Sequence, residues 1–387
     1  MGNGRGQTAG PATPNDEVEA VTLKTEPITV NIGPQHPSTH GVFRLRVAFD
    51  GEVIQDVEPV FGYLHRGSEK LAEERTYTQV VTLTDRLDYV APMTSNQAYV
   101  LAVERLMGIE APERGQYIRV MMAELMRIAS HLMMIGFFLQ DMGAFGTPLM
   151  YTFREREDIL DLFEMVCGAR ITVTYMRVGG VQADLPPEFT PALERFLAKI
   201  PGQIDDLEQL LSGNEILIAR TKNVGILSAE AAINGSVTGP ALRASGVNWD
   251  LRKSDPYEVY DQLEFDVPLG ENGDNYDRFV LRLEEMRQSV RMVRQCMEQM
   301  PAGPHRLELP MLLRPPAGDA YGRVEAPKGE LGFYIVSDGS IAPYRLAIRS
   351  PSFINLTVLR DMLIGWKLAD MVTIFGSLDV NMGEVDR

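Results

Sequence analysis

Residues 112–141, PERGQYIRVMMAELMRIASHLMMIGFFLQD, decide the fold class of this 387-residue chain. Ile118, Met121, Met122, Leu125, Ile128, Leu132, Ile135 and Leu139 recur at three and four, the helical period. Met126, Ala129, Met133 and Met134 make other faces apolar too. A helix apolar on most sides is buried, so the spacing predicts a core helix from about Pro112 to about Asp141. On it Glu124, Arg127 and His131 form a ladder whose expected role is an internal ion pair and hydrogen bonds. The longest apolar run, Leu132 to Leu139, falls short of the ~20 residues that cross a bilayer. No transmembrane segment is expected.

Around this helix the pattern stays largely helical. Ser68 starts one helix, with Glu69, Lys70, Glu73 and Glu74 on a solvated face. Others are predicted from about Ser95 to Met107, ended by Gly108, and over Thr152–Gly168, Pro191–Leu211, Tyr276–Met300 and Asn355–Leu368. Pro27–Ile32 alternates as a strand does. Phe43, Leu45, Val47 and Phe49 alternate with Arg44 and Arg46, and Asp50-Gly51 then leads into Val53–Val60, a hairpin pattern. Glu330–Val336 and Tyr344–Ile348 flank a turn at Ser337–Ser340 as a second hairpin, and Met371–Phe375 reads as a terminal strand. The class is α+β, a mainly helical bundle core with an N-terminal β region and a C-terminal hairpin. Residues 1–24 are expected to be a disordered tail, 25–66 the β region with a functional loop, and 67–387 the helical core.

Composition prunes the functions. Lys and Arg number 37 against 53 Asp and Glu, a net charge of −16 that disfavours nucleic acid or an anionic lipid surface as primary ligand and leaves protein partners. Two cysteines, Cys167 and Cys296, cannot hold a four-cysteine zinc or iron–sulfur site. The first twenty residues lack the apolar stretch of a signal peptide, so a cytosolic chain is expected. There is no GxxxxGKS/T, HExxH, CxxC or strand-borne GxGxxG, which removes the familiar nucleotide and zinc-protease sites. The 20 methionines suit irregular cores and surfaces that hold greasy ligands alike. His36 and His40 sit in a loop bounded by Pro and Gly. They are open to three readings: turn structure, a hydrogen-bond or proton donor to a ligand, or a metal pair that Pro37 makes hard to build on one helical face.

Five segments occur in a telling order: GPQHPSTHG (33–41), GYLHRG (62–67), FRER (153–156), RASGV (243–247) and MGEVDR (382–387). Together they resemble the D-subunit family of respiratory complex I, from about residue 27 to the last. The resemblance implies a fold similar to the large subunit of nickel–iron hydrogenases. In those enzymes RxCGxC and DPCxxCxxH hold the metals; here their places are taken by Arg86–Ala91 (RLDYVA) and Asp379–Arg387 (DVNMGEVDR), without cysteine. Soft thiolates are what a nickel site needs, so no metal is expected.

What the family holds there instead is a quinone, reduced by electrons from the terminal 4Fe–4S cluster of a partner subunit. By resemblance Tyr89 and His40 hydrogen-bond the quinone carbonyls and Asp141 pairs with His40. His36, Arg86, Asp88, Met93 and Asp379 are pocket or nearby residues, Met93 as an apolar wall and Arg86 as a cation near the cluster. Glu69 matches a hydrogenase glutamate that resembles a proton relay, with helix capping or solvation as the equal alternative. Chemistry is consistent with this: quinol formation takes two electrons and two protons, and a tyrosine and a carboxylate-paired histidine are suitable donors.

The family further implies a proton-translocating NADH:quinone oxidoreductase, active only when assembled. It implies three partners within the complex, the terminal iron–sulfur B subunit, the C subunit and the membrane-embedded H subunit, and a peripheral place on the cytoplasmic side of the cell membrane. The alternative is a non-catalytic scaffold of the same or a hydrogenase-like complex. Two departures stand out. Thr172 and Thr174 lie where the family often has a histidine near the cluster, which predicts a cluster potential less dependent on pH and suited to menaquinone rather than ubiquinone. The segment from Pro304 to Lys328 is short, resembling the chloroplast-type branch, and leaves the electron donor open.

Overall fold

The computed structural model describes residues 26–35, 42–143 and 147–387, for 210 and 211 the backbone alone. The predicted tail over 1–24 and the loop histidines His36 and His40 lie outside the described residues. Ile28–Ile32 (β1), Arg44–Asp50 (β2) and Val53–Val60 (β3) form an antiparallel sheet in that order. Leu45, Val47 and Phe49 point inward, as their alternation predicts, and Gly51 takes the positive φ of the tight turn.

Helices follow: Ser68–Glu73 (α1), Tyr77–Thr84 (α2), Pro92–Met107 (α3), Glu113–Asp141 (α4) and Thr147–Cys167 (α5). Gly108 closes α3 in the left-handed conformation. A two-residue ladder of Met176–Arg177 (β4) and Gly180–Val181 (β5) precedes Phe189–Ser212 (α6). Short helices over Glu215–Thr221 (α7), Ala229–Asn234 (α8), Pro240–Ala244 (α9) and Leu251–Ser254 (α10) lead to Asn275–Gln299 (α11). Gly318–Ala326 (β6), Gly329–Ser337 (β7) and Arg345–Arg349 (β8) build a second antiparallel sheet. The chain ends in Pro351–Asn355 (α12), Leu359–Leu363 (α13), Leu368–Ser377 (α14) and Met382–Asp386 (α15).

The α+β class holds, and α4 is the hub. It packs on α3, α5, α11 and α14, and 89% of its most apolar window is buried within the protein, as a core helix requires. The second sheet lies on α3, and Gly322 permits the approach: a Cβ there would meet the Ala102 backbone nitrogen at 2.5 Å. One apolar cluster joins α3, α4, α5 and α11 to the second sheet. Another joins the inward face of the first sheet to α9, α13, α14 and α15, so the two ends of the chain share a core.

Three expectations need correction. Met371–Phe375 is not a strand but lies within α14; its β-branched run mimics a strand, yet its buried side packs on α4 and α11. The helix expected over Asn355–Leu368 is broken at Ile364 and Gly365, where the chain turns to exchange backbone hydrogen bonds with Ile54 of β3. The C-terminal hairpin is a three-stranded sheet, because β6 pairs with β7 along nine residues.

Candidate active site

The α4 ladder shows how this core accommodates charge. Glu124 accepts hydrogen bonds from Arg127 and Arg252 (both 3.1 Å) and from the hydroxyls of Tyr260 (2.7 Å) and Ser289 (2.6 Å). Burial opposes its ionisation, but these partners hold it down at about 2. His131 faces a different helix: its Nε2 lies 2.8 Å from Glu285 of α11, which also accepts from Arg243. The ladder is therefore an ion-pair network, but one whose rungs reach across the bundle.

Beyond the last rung, three distant segments converge on the C-terminal turns of α4. The loop before α3 brings Tyr89 and Val90, the β6–β7 turn brings Lys328, and the link from α14 to α15 brings Asp379, Val380 and Asn381. They enclose a cavity of about 240 Å³ whose α4 wall is Met133, Met134, Phe137 and Phe138, with Asp141 at the helix end. The site thus combines apolar walls with a few convergent polar groups, the general form of a small-molecule site. Elsewhere a groove of about 600 Å³ runs between α6 and α11, but its Arg287 is engaged by Asp205, Glu208 and Glu284 and its Arg291 by Glu264 and Asp266.

The cavity floor is charged and buried. Lys328 Nζ donates to Asp88 Oδ2 at 2.9 Å and to Ser130 Oγ at 3.3 Å, and lies 3.8 Å from Asp379 Oδ2. Burial works against the ammonium, but Asp379 and Asp88 outweigh it and raise its pKa. Asp88 also accepts from Asn381 at 2.7 Å and from the Val90 N–H at 3.1 Å. Burial pushes the Asp379 carboxyl up, and Glu384, buried beside Asp88, is pushed up to about 8 by burial and then by that neighbouring charge. The Tyr89 phenol is raised chiefly by burial and next by Asp88, so it keeps its proton until a stronger base draws it off.

Two of the motifs meet to build this floor. Asp386 accepts from the Gly62 and Leu64 N–H groups at 2.9 and 2.7 Å, and Arg66 Nη2 donates to the carbonyls of Gly383 (2.8 Å) and Arg86 (2.9 Å). Gly383 is pressed against Tyr89: a Cβ would lie 2.5 Å from Leu87 O and 2.9 Å from the Tyr89 ring.

Of the candidate residues, Tyr89, Asp141 and Asp379 line the cavity and Asp88 supports it from beneath. Met93 lies in the core and not among the lining residues; Met133, Met134, Phe137 and Phe138 form the apolar wall instead. The Arg86 side chain is directed to Asp85 and Thr82 O and is half exposed. Glu69 is not simply solvated: it accepts from the Ile348 N–H at 2.9 Å and faces Arg345 and Arg387, tying α1 to β8 and the last residue. His36 and His40 lie outside the described residues. Sequence reasoning missed Lys328, Asn381 and Glu384 as members of the site. No local signal marks Lys328, which stands in a Pro-Lys-Gly turn; only its distant acidic partners place it inside.

Known proteins share this sequence along most of its length. The family described as the 49 Kd subunit of respiratory-chain NADH dehydrogenase matches residues 141–316 and 309–387. The chain is similar to the D subunit of NADH-quinone oxidoreductase from Dehalococcoides mccartyi, 60% identical over 367 residues, covering 95% of this chain and 100% of the relative. The corresponding D 1 protein of a Roseiflexus species is 57% identical over 373 residues (94% and 100%), and the D subunit of the Desulforamulus reducens enzyme 55% over 366 (95% and 100%).

Proposed function

The chain belongs to the family of the 49-kDa subunit of respiratory-chain NADH dehydrogenase, the D subunit of NADH-quinone oxidoreductase, and from that premise we propose that its cavity receives the quinone headgroup and supplies protons for its reduction. The observation that carries this reading is the cavity itself, with thioether and aromatic walls for a flat apolar ring and Tyr89, Asp141, Lys328 and Asp379 on its lining. Electrons come from a 4Fe–4S cluster held by a partner subunit, since this chain has two cysteines only.

In this account the Tyr89 hydroxyl donates to one quinone carbonyl, and His40, paired with Asp141, to the other. Lys328 compensates the charge that Tyr89 and Asp379 acquire when they lose protons. The fold descends from one shared with nickel–iron hydrogenases, and the metal-binding segments have become Arg86–Ala91 and Asp379–Arg387. The B, C and H subunits are the neighbours, and the chain sits in the peripheral arm on the cytoplasmic face, within a complex that translocates protons. Thr174 donates to Asp85 at 3.5 Å and offers no imidazole to the cluster, which supports a lower cluster potential, less dependent on pH and better suited to menaquinone than to ubiquinone.

A photoreactive quinone analogue bound to the assembled complex tests the site. Labelling of Met133–Phe138 that menaquinone competes away is the expected result. Labelling confined to other subunits contradicts it.

A further inference from the structure

Tyr89 stands between two anchored neighbours, and one buried side chain reaches both. Asn381, 3% exposed, opens α15, and its Oδ1 caps that helix by accepting from the Gly383 N–H at 2.8 Å. Its Nδ2 donates to Asp88 Oδ1 at 2.7 Å. The amide cannot sit the other way round, because a flip would set its carbonyl against a carboxylate and its NH2 against an N–H. Its own backbone N–H donates to Ser352 Oγ at 3.1 Å, and the Ser352 hydroxyl in turn donates to Glu384. Asn381 is thus fixed at backbone and side chain alike.

Both ends of the amide bear on Tyr89. Asp88 precedes it, and the Val90 N–H that follows it also donates to Asp88 Oδ1, at 3.1 Å. With Oδ1 occupied in this way, Oδ2 is the oxygen that takes Lys328 at 2.9 Å. Gly383 is the surface against which the Tyr89 ring is pressed. The exposed Arg66 ties the same two segments together through the carbonyls of Gly383 and Arg86, and Asn381 is the tie on the cavity side, where it is a lining residue. Among the described residues nothing bonds the Tyr89 hydroxyl, so its aim is set by what holds Asp88, Val90 and Gly383.

Resting on the quinone-site reading, we propose that Asn381 is the positioning residue of Tyr89: it locks the loop through Asp88 and the ring through Gly383, so that the hydroxyl meets the quinone carbonyl. It exchanges no proton itself. A reacting group displaced by about 1 Å loses much of its rate, whereas the apolar wall that takes up the quinone ring, Met133, Met134, Phe137 and Phe138, lies on another element, α4. Loss of the Asn381 tie therefore lowers kcat more than it alters KM.

The test uses the assembled complex in membranes and compares donor-to-quinone turnover of Asn381→Asp with that of the parent across pH. The substitution keeps the side-chain volume and the cap. While the introduced carboxyl holds its proton, it donates to Asp88 as the amide does. Once ionised it faces Asp88 with no donor and repels it, Glu384 and Asp379 adding to the repulsion and Lys328 opposing it. The ratio of its kcat to the parental value should fall about tenfold between about pH 6 and about pH 8, with KM for quinone nearly constant. A residue that served only to cap α15 would give the opposite trend, since a carboxylate suits a helix N-terminus better than a neutral carboxyl does. A ratio that stays level or rises with pH overturns the proposal. Should Asn381→Asp fail to assemble, Asn381→Ser decides: serine caps the helix but stops short of Asp88, so kcat should again drop about tenfold, and a parental kcat overturns the proposal. Tyr89→Phe measured alongside keeps the two claims apart. If it abolishes turnover while the Asn381 variant behaves as the parent, the positioning role alone falls, and if both are silent, the quinone-site reading falls with it.

Discussion

Lys328 and Asp88, 240 positions apart in sequence, meet at 2.9 Å with both side chains buried. That contact fastens the β6–β7 turn beneath the loop carrying Tyr89, and it places a cation under the cavity. Removing one member of a buried pair leaves the other charge without compensation, at about 3–5 kcal/mol. Lys328→Met should therefore lower the melting temperature of the complex's peripheral arm and reduce quinone turnover, whereas Lys328→Arg should recover part of the stability. Calorimetry and turnover on the same preparations check both.

Gly383 is a second fixed point. A methyl group there collides with Leu87 O and with the Tyr89 ring, and overpacking of this kind costs about 1–3 kcal/mol. Gly383→Ala should push the ring into the cavity and raise the KM for quinone. Gly376→Ala is the control. Its Cβ would rest 3.4 Å from Phe138 and 3.7 Å from Asp141 Oδ2, ordinary contacts, so stability should stay near parental.

Much of this arrangement was legible from local pattern, and the failures have physical causes. The long α4 helix is legible because the apolar core surrounds it, and the first hairpin because its strands alternate between core and water. Strand β6 escaped notice because Gly318, Asp319, Arg323 and Glu325 break its alternation. Glu325 is buried nonetheless, since Arg243 donates to it at 2.8 Å. Lys328 reads as a solvent-facing turn residue by any local rule, and only distant acids make it an interior one. Tyr89 and Asp141 could be placed by motif resemblance, but their assembly with Asp379 around one cavity is a tertiary fact.

Glu384 gives a pH prediction. Its folded pKa, pushed up to about 8, lies above the 4.5 of an ordinary glutamate, so the folded state binds the extra proton between those values. Stability from this group is fullest below about pH 4.5 and is lost as pH rises toward 8. Since Glu124 works in the opposite sense at lower pH, the informative quantity is a difference. Glu384→Gln should gain melting temperature relative to the parental complex progressively from about pH 5 to about pH 8. A difference that stays flat across that window contradicts the assignment.

The most direct test of the central claim is Tyr89→Phe in the intact complex, with donor-to-quinone and donor-to-ferricyanide electron transfer measured on the same membranes. The substitution keeps the ring against Gly383 and removes only the hydroxyl. Quinone reduction should collapse, by about a hundredfold or more for the loss of a positioned proton donor, while ferricyanide reduction persists because the upstream chain is intact. Parental rates for both acceptors would contradict the account.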